Sequence, residues 1–287
     1  MRNDFFFDRV HGYHYAAHGE PAYSLLIAHG IGGHGGTYDV FCEPLAERGV
    51  NVVSMDLPGH GLARNTRGNW RFTEWLEDLH LAATAMRARW GKPVFVLGSS
   101  QGSAAAFHSL AFSDAIAGAI TMCIILSEVV PDESDDLYHR FREFRSQEGR
   151  STARREGDRK RIDLATTLDW NKNYAANESN VLEKKMKDLL RPWTYGYASL
   201  ASYYTYEPLI PASENSKPVL ITGGENDQLV SAAYVRKCFE AVGGPKTLEI
   251  VPGGGHQLLL YHTEQYVPLV DGWVRRQLQP KPQAVAA

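Results

Sequence analysis

The stretch "PVFVLGSSQGSAAAF", residues 93–107, decides how this chain is read. Pro93 to Leu97 is an apolar run of the kind that fills a buried strand. Ala104 to Phe107 is alanine-rich and suits a helix. Between them, Gly98-Ser99-Ser100-Gln101-Gly102 fits Gly-x-Ser-x-Gly with Ser100 at its centre. The pattern puts a serine on a sharp turn from strand to helix. Such a turn strains the serine's backbone, and a glycine on each side relieves the crowding. The hydroxyl is then expected to stand exposed above the sheet edge. The helix N-terminus beneath it offers unpaired N–H groups to developing negative charge. Serines and glycines are common, so five residues alone are equally well read as an ordinary strand-to-helix turn. The strand before and the helix after are the context in which the motif carries chemistry.

A serine hydroxyl is a poor nucleophile at neutral pH. It needs a base, and the base needs an orienting carboxylate. "PVLITGGENDQLV" (218–230) ends a strand and delivers Asp227, and "LEIVPGGGHQLLL" (248–260) ends the next and delivers His256. Each has a plainer reading. Asp227 would cap a helix over "QLVSAAYV", and His256 would be a loop histidine on a glycine-rich turn. Together they follow Ser100 in the order Ser, Asp, His, each just past a strand, where open α/β sheets place their ligands. An oxyanion formed at Ser100 requires two N–H donors. One is expected from Gln101, the residue after the nucleophile, and the second from Ile31 in "HGIGGHGG" (29–36). With His256 as base, activity is expected to fall on acidification.

The chain has 287 residues, 44% of them hydrophobic and 22% charged. That is ordinary for a soluble globular protein, and long enough to bury a sizeable core as one large α/β domain or two smaller ones. A formal net charge of −3 argues against a nucleic-acid binder. Cys42, Cys123 and Cys238 lie too far apart for a zinc site or a disulfide framework and read as buried thiols of a reducing compartment. The opening "MRNDFFFDRVHGY" lacks the apolar length of a signal peptide. No run approaches about 18 uninterrupted apolar residues, so no membrane span is expected. A cytoplasmic location is the resulting expectation. The tail "QPKPQAVAA" reads as frayed chain.

Strands are predicted within 23–30, 51–56, 93–99, 115–123, 218–224 and 246–253, where near-continuous apolar runs suit a parallel sheet covered on both faces. Residues 4–17 alternate like an antiparallel edge hairpin. The clearest helix is 72–90, with Phe72, Trp75, Leu76, Leu79, Ala83, Met86 and Trp90 at helical spacing, acids in its first turn and Arg87 and Arg89 in its last. Strand signals vanish between Ser127 and Glu207. The reading is therefore a core over 1–126, a helical insertion over 127–206 and a resumed core over 207–287 that carries the acid and the base. The basic run "RFREFRSQEGRSTARREGDRKR" (140–161) is interleaved with Glu143, Glu148, Glu156 and Asp158 and reads as an ion-paired, solvated helix face. Trp170, Tyr174, Trp193, Tyr195, Tyr197, Tyr203, Tyr204 and Tyr206 crowd the later insertion, chiefly as packing onto the core and otherwise as an acyl or aromatic pocket. The insertion's arginines hint at an anionic substrate, such as the monoester of a dicarboxylic acid.

The pieces "HGIGG", "MDLPGHGLA" (55–63), "GSSQGS", "GENDQLV" (224–230) and "GGGHQLLL" (253–260) cover nearly the whole core in order. In these the chain resembles α/β-hydrolase-fold serine hydrolases, the group that includes monoacylglycerol lipases, lysophospholipases and carboxylesterases. The resemblance implies a mostly parallel central sheet with helices on both faces and a helical lid at the insertion. It implies Ser100 as nucleophile, His256 as base and Asp227 as orienting acid, with neither metal nor organic cofactor. It also implies a small-molecule ester substrate with a hydrophobic arm, hydrolysed through an acyl-enzyme. The pocket is expected around His29, Gly30, Trp170, Trp193, Tyr203 and Tyr204. His60, in the "PGHG" turn, is read as structural. Ser99 stands where many relatives have histidine and Ser103 where many have glycine, departures expected to reshape the pocket. Homo-oligomerisation stays open.

Three rivals compete. Gly30, Gly32 and Gly35 spell Gly-x-Gly-x-x-Gly after a strand, with Asp56 ending the next one, the pattern of a dinucleotide site. That reading leaves the order of Ser100, Asp227 and His256 unexplained. A non-catalytic receptor on the same fold would keep the same residues. Carbon–carbon or amide hydrolysis, or acyl transfer, would use the same three groups.

Overall fold

The computed structural model describes residues 2–167, 170 and 181–280. The chain opens with the expected hairpin, β1 (Arg2–Phe7) and β2 (Val10–Tyr15), paired antiparallel at the sheet's edge. β2 runs antiparallel to β4 (Val50–Asp56). Beyond it β3 (Tyr23–Ala28), β5 (Val94–Ser99) and β6 (Ile116–Met122) pair in parallel. A short pair, β7 (Arg161–Asp163) and β8 (Thr194–Gly196), stands apart, and β9 (Val219–Gly224) and β10 (Lys246–Val251) complete the main sheet. Its order is β1-β2-β4-β3-β5-β6-β9-β10. Every residue of β3, β4, β5 and β9 is buried, which is why their sequences are continuous apolar runs rather than alternating ones.

Helices flank this sheet. α1 (Asp39–Glu47) packs with the last helix, Thr263–Gln277, while α2 (Phe72–Trp90) packs with α3 (Gln101–Phe112). α2 has the predicted bounds. Glu74 accepts the Arg71 N–H at its start, and Gly91 closes it in the left-handed region (φ 62°). Its apolar stripe is buried from Phe72 to Met86, with Trp70 stacked on Trp75 at 4.3 Å. Burying side chains of this size contributes roughly 1.5–3 kcal/mol each. The buried strands β3, β5 and β9 are thereby fixed, and with them the loops at their carboxyl ends, beside the one that follows the buried Val251 at the end of β10.

Between β6 and β9 the chain leaves the sheet. α4 (Asp136–Arg145), α5 (Gln147–Glu156) and α6 (Tyr197–Tyr204) are the longer helices described in this segment. It is not purely helical: β7 and β8 pair antiparallel within it. Three-residue strands are too short to leave a periodic signal. The basic run also differs from its reading. Arg155 pairs with Glu156, but Arg145 donates to the backbone carbonyls of Tyr204 and Ser127, Arg159 donates to that of Arg155, and Asp158 pairs with Arg71 of the core. Much of the cationic surface thus ties chain to chain through neutral acceptors. The three cysteines are buried free thiols. No described helix is long and apolar enough to cross a membrane. Tyr174 and residues 281–287 lie outside the described residues.

Candidate active site

Ser100 sits at the strand-to-helix turn with φ 53°, a left-handed backbone that only a specific fold enforces on a serine. The two motif glycines have a different task. A Cβ on Gly98 would lie 2.1 Å from the Gly102 carbonyl oxygen, and one on Gly102 would lie 2.4 Å from that of Ala28. They are there because strand, turn and helix start approach too closely for any side chain. The Ser100 N–H donates to the Met122 carbonyl at 2.9 Å, and Ser103 Oγ donates to the Ser100 carbonyl. Contrary to the expectation of an exposed hydroxyl, Ser100 is only 7% exposed and borders a cavity that residues of the inserted segment also line.

His256 Nε2 lies 3.1 Å from Ser100 Oγ, and His256 Nδ1 lies 2.8 Å from Asp227 Oδ2. A carboxylate only accepts, so Nδ1 carries the ring proton and the Nε2 lone pair faces the serine hydroxyl. Both partners are buried. Asp227 Oδ1 accepts the N–H groups of Leu229 (2.9 Å) and Val230 (3.0 Å). Burial opposes ionisation of Asp227. The charge and hydrogen bond of His256, the Cys123 thiol and the Val230 N–H outweigh it and hold the carboxyl below its ordinary value.

The loop after β3 is braced from below and above. His29 Nε2 accepts the Leu57 N–H at 3.1 Å, so its Nδ1–H donates to the Gly30 carbonyl at 2.9 Å. Burial pushes His29 down to about 4, so the ring is neutral. From above, Tyr195 Oη accepts the Gly32 N–H at 2.8 Å, and Arg191 Nη1 donates to the Gly32 carbonyl. His60, neutral through burial, donates from Nδ1 to the Pro58 carbonyl and accepts a hydrogen bond from the Tyr195 hydroxyl at Nε2 (3.1 Å). Asp56 accepts from Gly35 N–H (2.6 Å), Leu62 N–H (2.9 Å) and His11 Nδ1 (2.7 Å). These bonds occupy the carboxylate that a dinucleotide's ribose would need, which removes the main support for that reading. The N–H groups of Ile31 and Gln101 have no acceptor among the described residues, and both residues border the same cavity as Ser100 and His256.

That cavity holds about 330 Å³, at the small end of ligand sites, which run roughly 300–1,000 Å³. Gly30, Ile31, Ser100, Gln101 and His256 line it from the core. Leu137, Arg140, Trp170, Lys185, Arg191 and Tyr204 line it from the insertion, and Ile125, Leu229, Val230 and Leu260 add apolar surface.

The family model for serine aminopeptidase, S33, matches residues 19–144. Among curated proteins, a monoglyceride lipase homolog of Monkeypox virus is 32% identical over 85 residues, 29% of this chain and 31% of that protein. Phospholipase YtpA of Bacillus subtilis is 33% identical over 89 residues, 31% of this chain and 34% of that protein. An uncharacterized abhydrolase domain-containing protein of Dictyostelium discoideum is 33% identical over 90 residues, 31% of this chain and 9% of that protein. The matched stretches therefore span a third or less of these relatives' lengths, or close to it. Two solved structures superpose along nearly the whole chain. The monoacylglycerol lipase of Paleococcus ferrophilus gives a TM-score of 0.71 at 17% identity, covering 94% of this chain and all of that one. A soluble variant of monoglyceride lipase from Saccharomyces cerevisiae gives 0.73 at 16% identity, covering 96% and 94%. The chain is an α/β hydrolase by fold. Its likeness is to the monoacylglycerol lipase and carboxylesterase group.

On this α/β-hydrolase frame the predicted pocket residues divide. Gly30, Trp170 and Tyr204 line the cavity. His29, Trp193 and Tyr203 do not. The His29 ring turns beneath the loop to Leu57, Trp193 packs behind Trp170 at 5.3 Å, and Tyr203 packs on Phe72 with its hydroxyl directed at the Ile125 carbonyl. Ser99 and Ser103 are fully buried behind the nucleophile and do not border the cavity, so these departures act on the elbow's support. Reading the sequence missed Leu229, Val230 and Leu260, although each lies within four residues of Asp227 or His256. The hint that the insertion's arginines meet substrate named none of them; Arg140 and Arg191 are the ones that line the cavity, beside Lys185, which no local pattern singles out. Cys123, Asp227 and His256 bring ligand-type atoms within 4.8 Å of one another. The facing atoms of Asp227 and His256 are engaged with each other and burial pushes the Cys123 thiol far up, so the cluster fits an orienting acid and base better than a metal.

Proposed function

We propose that this α/β hydrolase is a serine esterase acting on a small carboxylic ester with a hydrophobic arm. The observation that carries the reading is the continuous hydrogen-bonded line from Ser100 Oγ through His256 to Asp227, set on a strained elbow inside a roofed cavity. Ser100 attacks the ester carbonyl as His256 Nε2 takes its proton. Asp227 keeps the ring in the tautomer that can accept and stabilises the imidazolium that forms. The Ile31 and Gln101 N–H groups hold the oxyanion, a type of contact that contributes about 3–4 kcal/mol to lowering the barrier. His256 then protonates the leaving alcohol, and water releases the acyl group by the reverse steps. The insertion acts as a lid, with Leu137, Trp170 and Tyr204 over the reacting atoms.

The names of the similar proteins, lipase and phospholipase, agree with ester chemistry, while the serine aminopeptidase family model keeps amide cleavage as the second reading. A panel of esters varied in acyl and alcohol size, run beside amino-acid anilides, separates the two. The expected result is ester turnover that Ser100→Ala reduces by about 10³-fold or more, with anilides untouched. Anilide turnover exceeding that of every ester would replace the esterase reading with the peptidase one.

A further inference from the structure

Among the described residues, three cationic side chains, Arg140, Lys185 and Arg191, line the cavity that holds Ser100, together with one carboxylate, Asp136. The arginines matter most. Arg140, half-buried in α4, donates from Nη2 to the Thr167 carbonyl at 3.0 Å and lies beside the Tyr204 hydroxyl. Both are neutral acceptors, and no described carboxylate pairs with Arg140. Arg191 is 8% exposed. Its Nε reaches Asp188 Oδ2 at 3.2 Å and its Nη1 reaches the Gly32 carbonyl, but the same Asp188 oxygen also meets His34 Nε2 at 2.8 Å. A guanidinium has five donors in a fixed fork. A carbonyl satisfies a donor without neutralising the charge, and positive charge held in a roofed, partly apolar site is costly unless matched. Arg191 and Lys185, with Leu260 and Thr37, also border an open cleft beside α1 that Asp39 lines as well, so this cleft and the cavity share a wall.

We infer that the substrate is an ester carrying an anionic group, a carboxylate or a phosphate, that docks against Arg140 and Arg191 while its linking arm lies on the apolar side. This rests on the esterase reading and names its substrate class. The anion supplies the counter-charge that Arg140 lacks among the described residues and adds to the share of Asp188 that Arg191 has, and a guanidinium can meet it through two parallel N–H bonds. Cationic residues on that shared wall also draw such a substrate in, an attraction that salt weakens.

The test is steady-state hydrolysis of matched pairs: para-nitrophenyl hexanoate against the para-nitrophenyl monoester of adipate, phenyl butanoate against its para-carboxy derivative, and butanoylglycerol against its phosphate monoester. The expected result is a kcat/KM about ten-fold or more higher for the anionic member of at least one pair, shrinking as salt rises. Which pair responds tells whether the charge sits on the acyl or the alcohol side and whether it is carboxylate or phosphate. Arg140→Gln is expected to lower that anionic-to-neutral ratio by about ten-fold, with Arg140→Lys recovering part of it. Neutral members turned over as well as or better than anionic ones in every pair would overturn the inference and leave the esterase standing. So would a ratio unmoved by both Arg140→Gln and Arg191→Gln. If no member of any pair is hydrolysed and Ser100 resists a fluorophosphonate, the esterase reading fails and the inference falls with it.

Discussion

Asp227 bears two loads at once. Oδ1 holds the turn through Leu229 and Val230, and Oδ2 holds His256. The sequence offered a helix cap and an orienting acid as rival readings of this residue; the helix begins at Ala232 with Ser231 as its N-cap, so Asp227 holds only the turn before it and keeps Oδ2 for His256. That double role shapes the prediction. Asp227→Asn keeps an oxygen for the two N–H groups but presents an amide donor to His256 Nδ1, which turns the ring into the tautomer that cannot accept from Ser100. A loss of about 10³–10⁴-fold in kcat is expected, with little change in KM and a native circular-dichroism spectrum. A variant within ten-fold of wild type would mean the carboxylate only holds the turn. At the elbow, Gly98 and Gly102 were legible as crowding relief, but the left-handed φ falls on Ser100 itself, which a sequence pattern shows only through its strand and helix neighbours.

At the level of elements, the loop after β3 belongs to two parts of the chain. Its glycines come from the core, yet both the N–H and the carbonyl of Gly32 are bound by side chains of the insertion, Tyr195 and Arg191. Tyr195→Phe removes the acceptor for Gly32 and the donor to His60. Leaving such groups unpaired costs roughly 1–3 kcal/mol, and the loop that carries the Ile31 N–H loses its upper brace. The expected outcome is a kcat lowered by about ten-fold or more with a smaller change in KM, measured on the best ester beside a thermal melt. A lower melting temperature with kcat intact would confine Tyr195 to stability. This bracing was not legible in the sequence, because it joins residues 163 positions apart through one hydroxyl. The same loop's glycines spelled a dinucleotide pattern, and only the partners of Asp56 decide against it. The core strands and α2 could be read because each buries a continuous run or a full helical stripe. The insertion was visible mainly as the loss of that signal, so β7 and β8 stayed hidden, and of its predicted pocket residues Trp170 and Tyr204 line the cavity while Trp193 and Tyr203 do not.

Across the whole molecule, acid is the condition that separates the parts. His29, His60 and His108 are buried and neutral; burial pushes His29 and His108 down to about 4 and His60 well below its ordinary value. In the unfolded chain each protonates near pH 6.5. As pH falls from about 6.5 toward 4 the unfolded state takes up protons that the folded state refuses, so stability falls, by about 3 kcal/mol for each of His29 and His108. Asp56 and Asp227, buried but held below their usual values by hydrogen bonds and neighbouring histidine, act in a lower window. Their stabilisation is complete above the ordinary carboxylate value and is lost as pH drops through the depressed ones. Urea unfolding is therefore expected to shift to markedly lower midpoints between pH 7 and pH 4.5, and an unchanged midpoint would contradict neutral buried histidines. The central claim is a hydroxyl made nucleophilic by its neighbours, and reaction with a fluorophosphonate followed by mass spectrometry of the digested protein tests it most directly. One adduct per chain is expected, on Ser100, formed slowly or not at all after His256→Ala. An unlabelled protein, or an adduct elsewhere that Ser100→Ala leaves untouched, would contradict it.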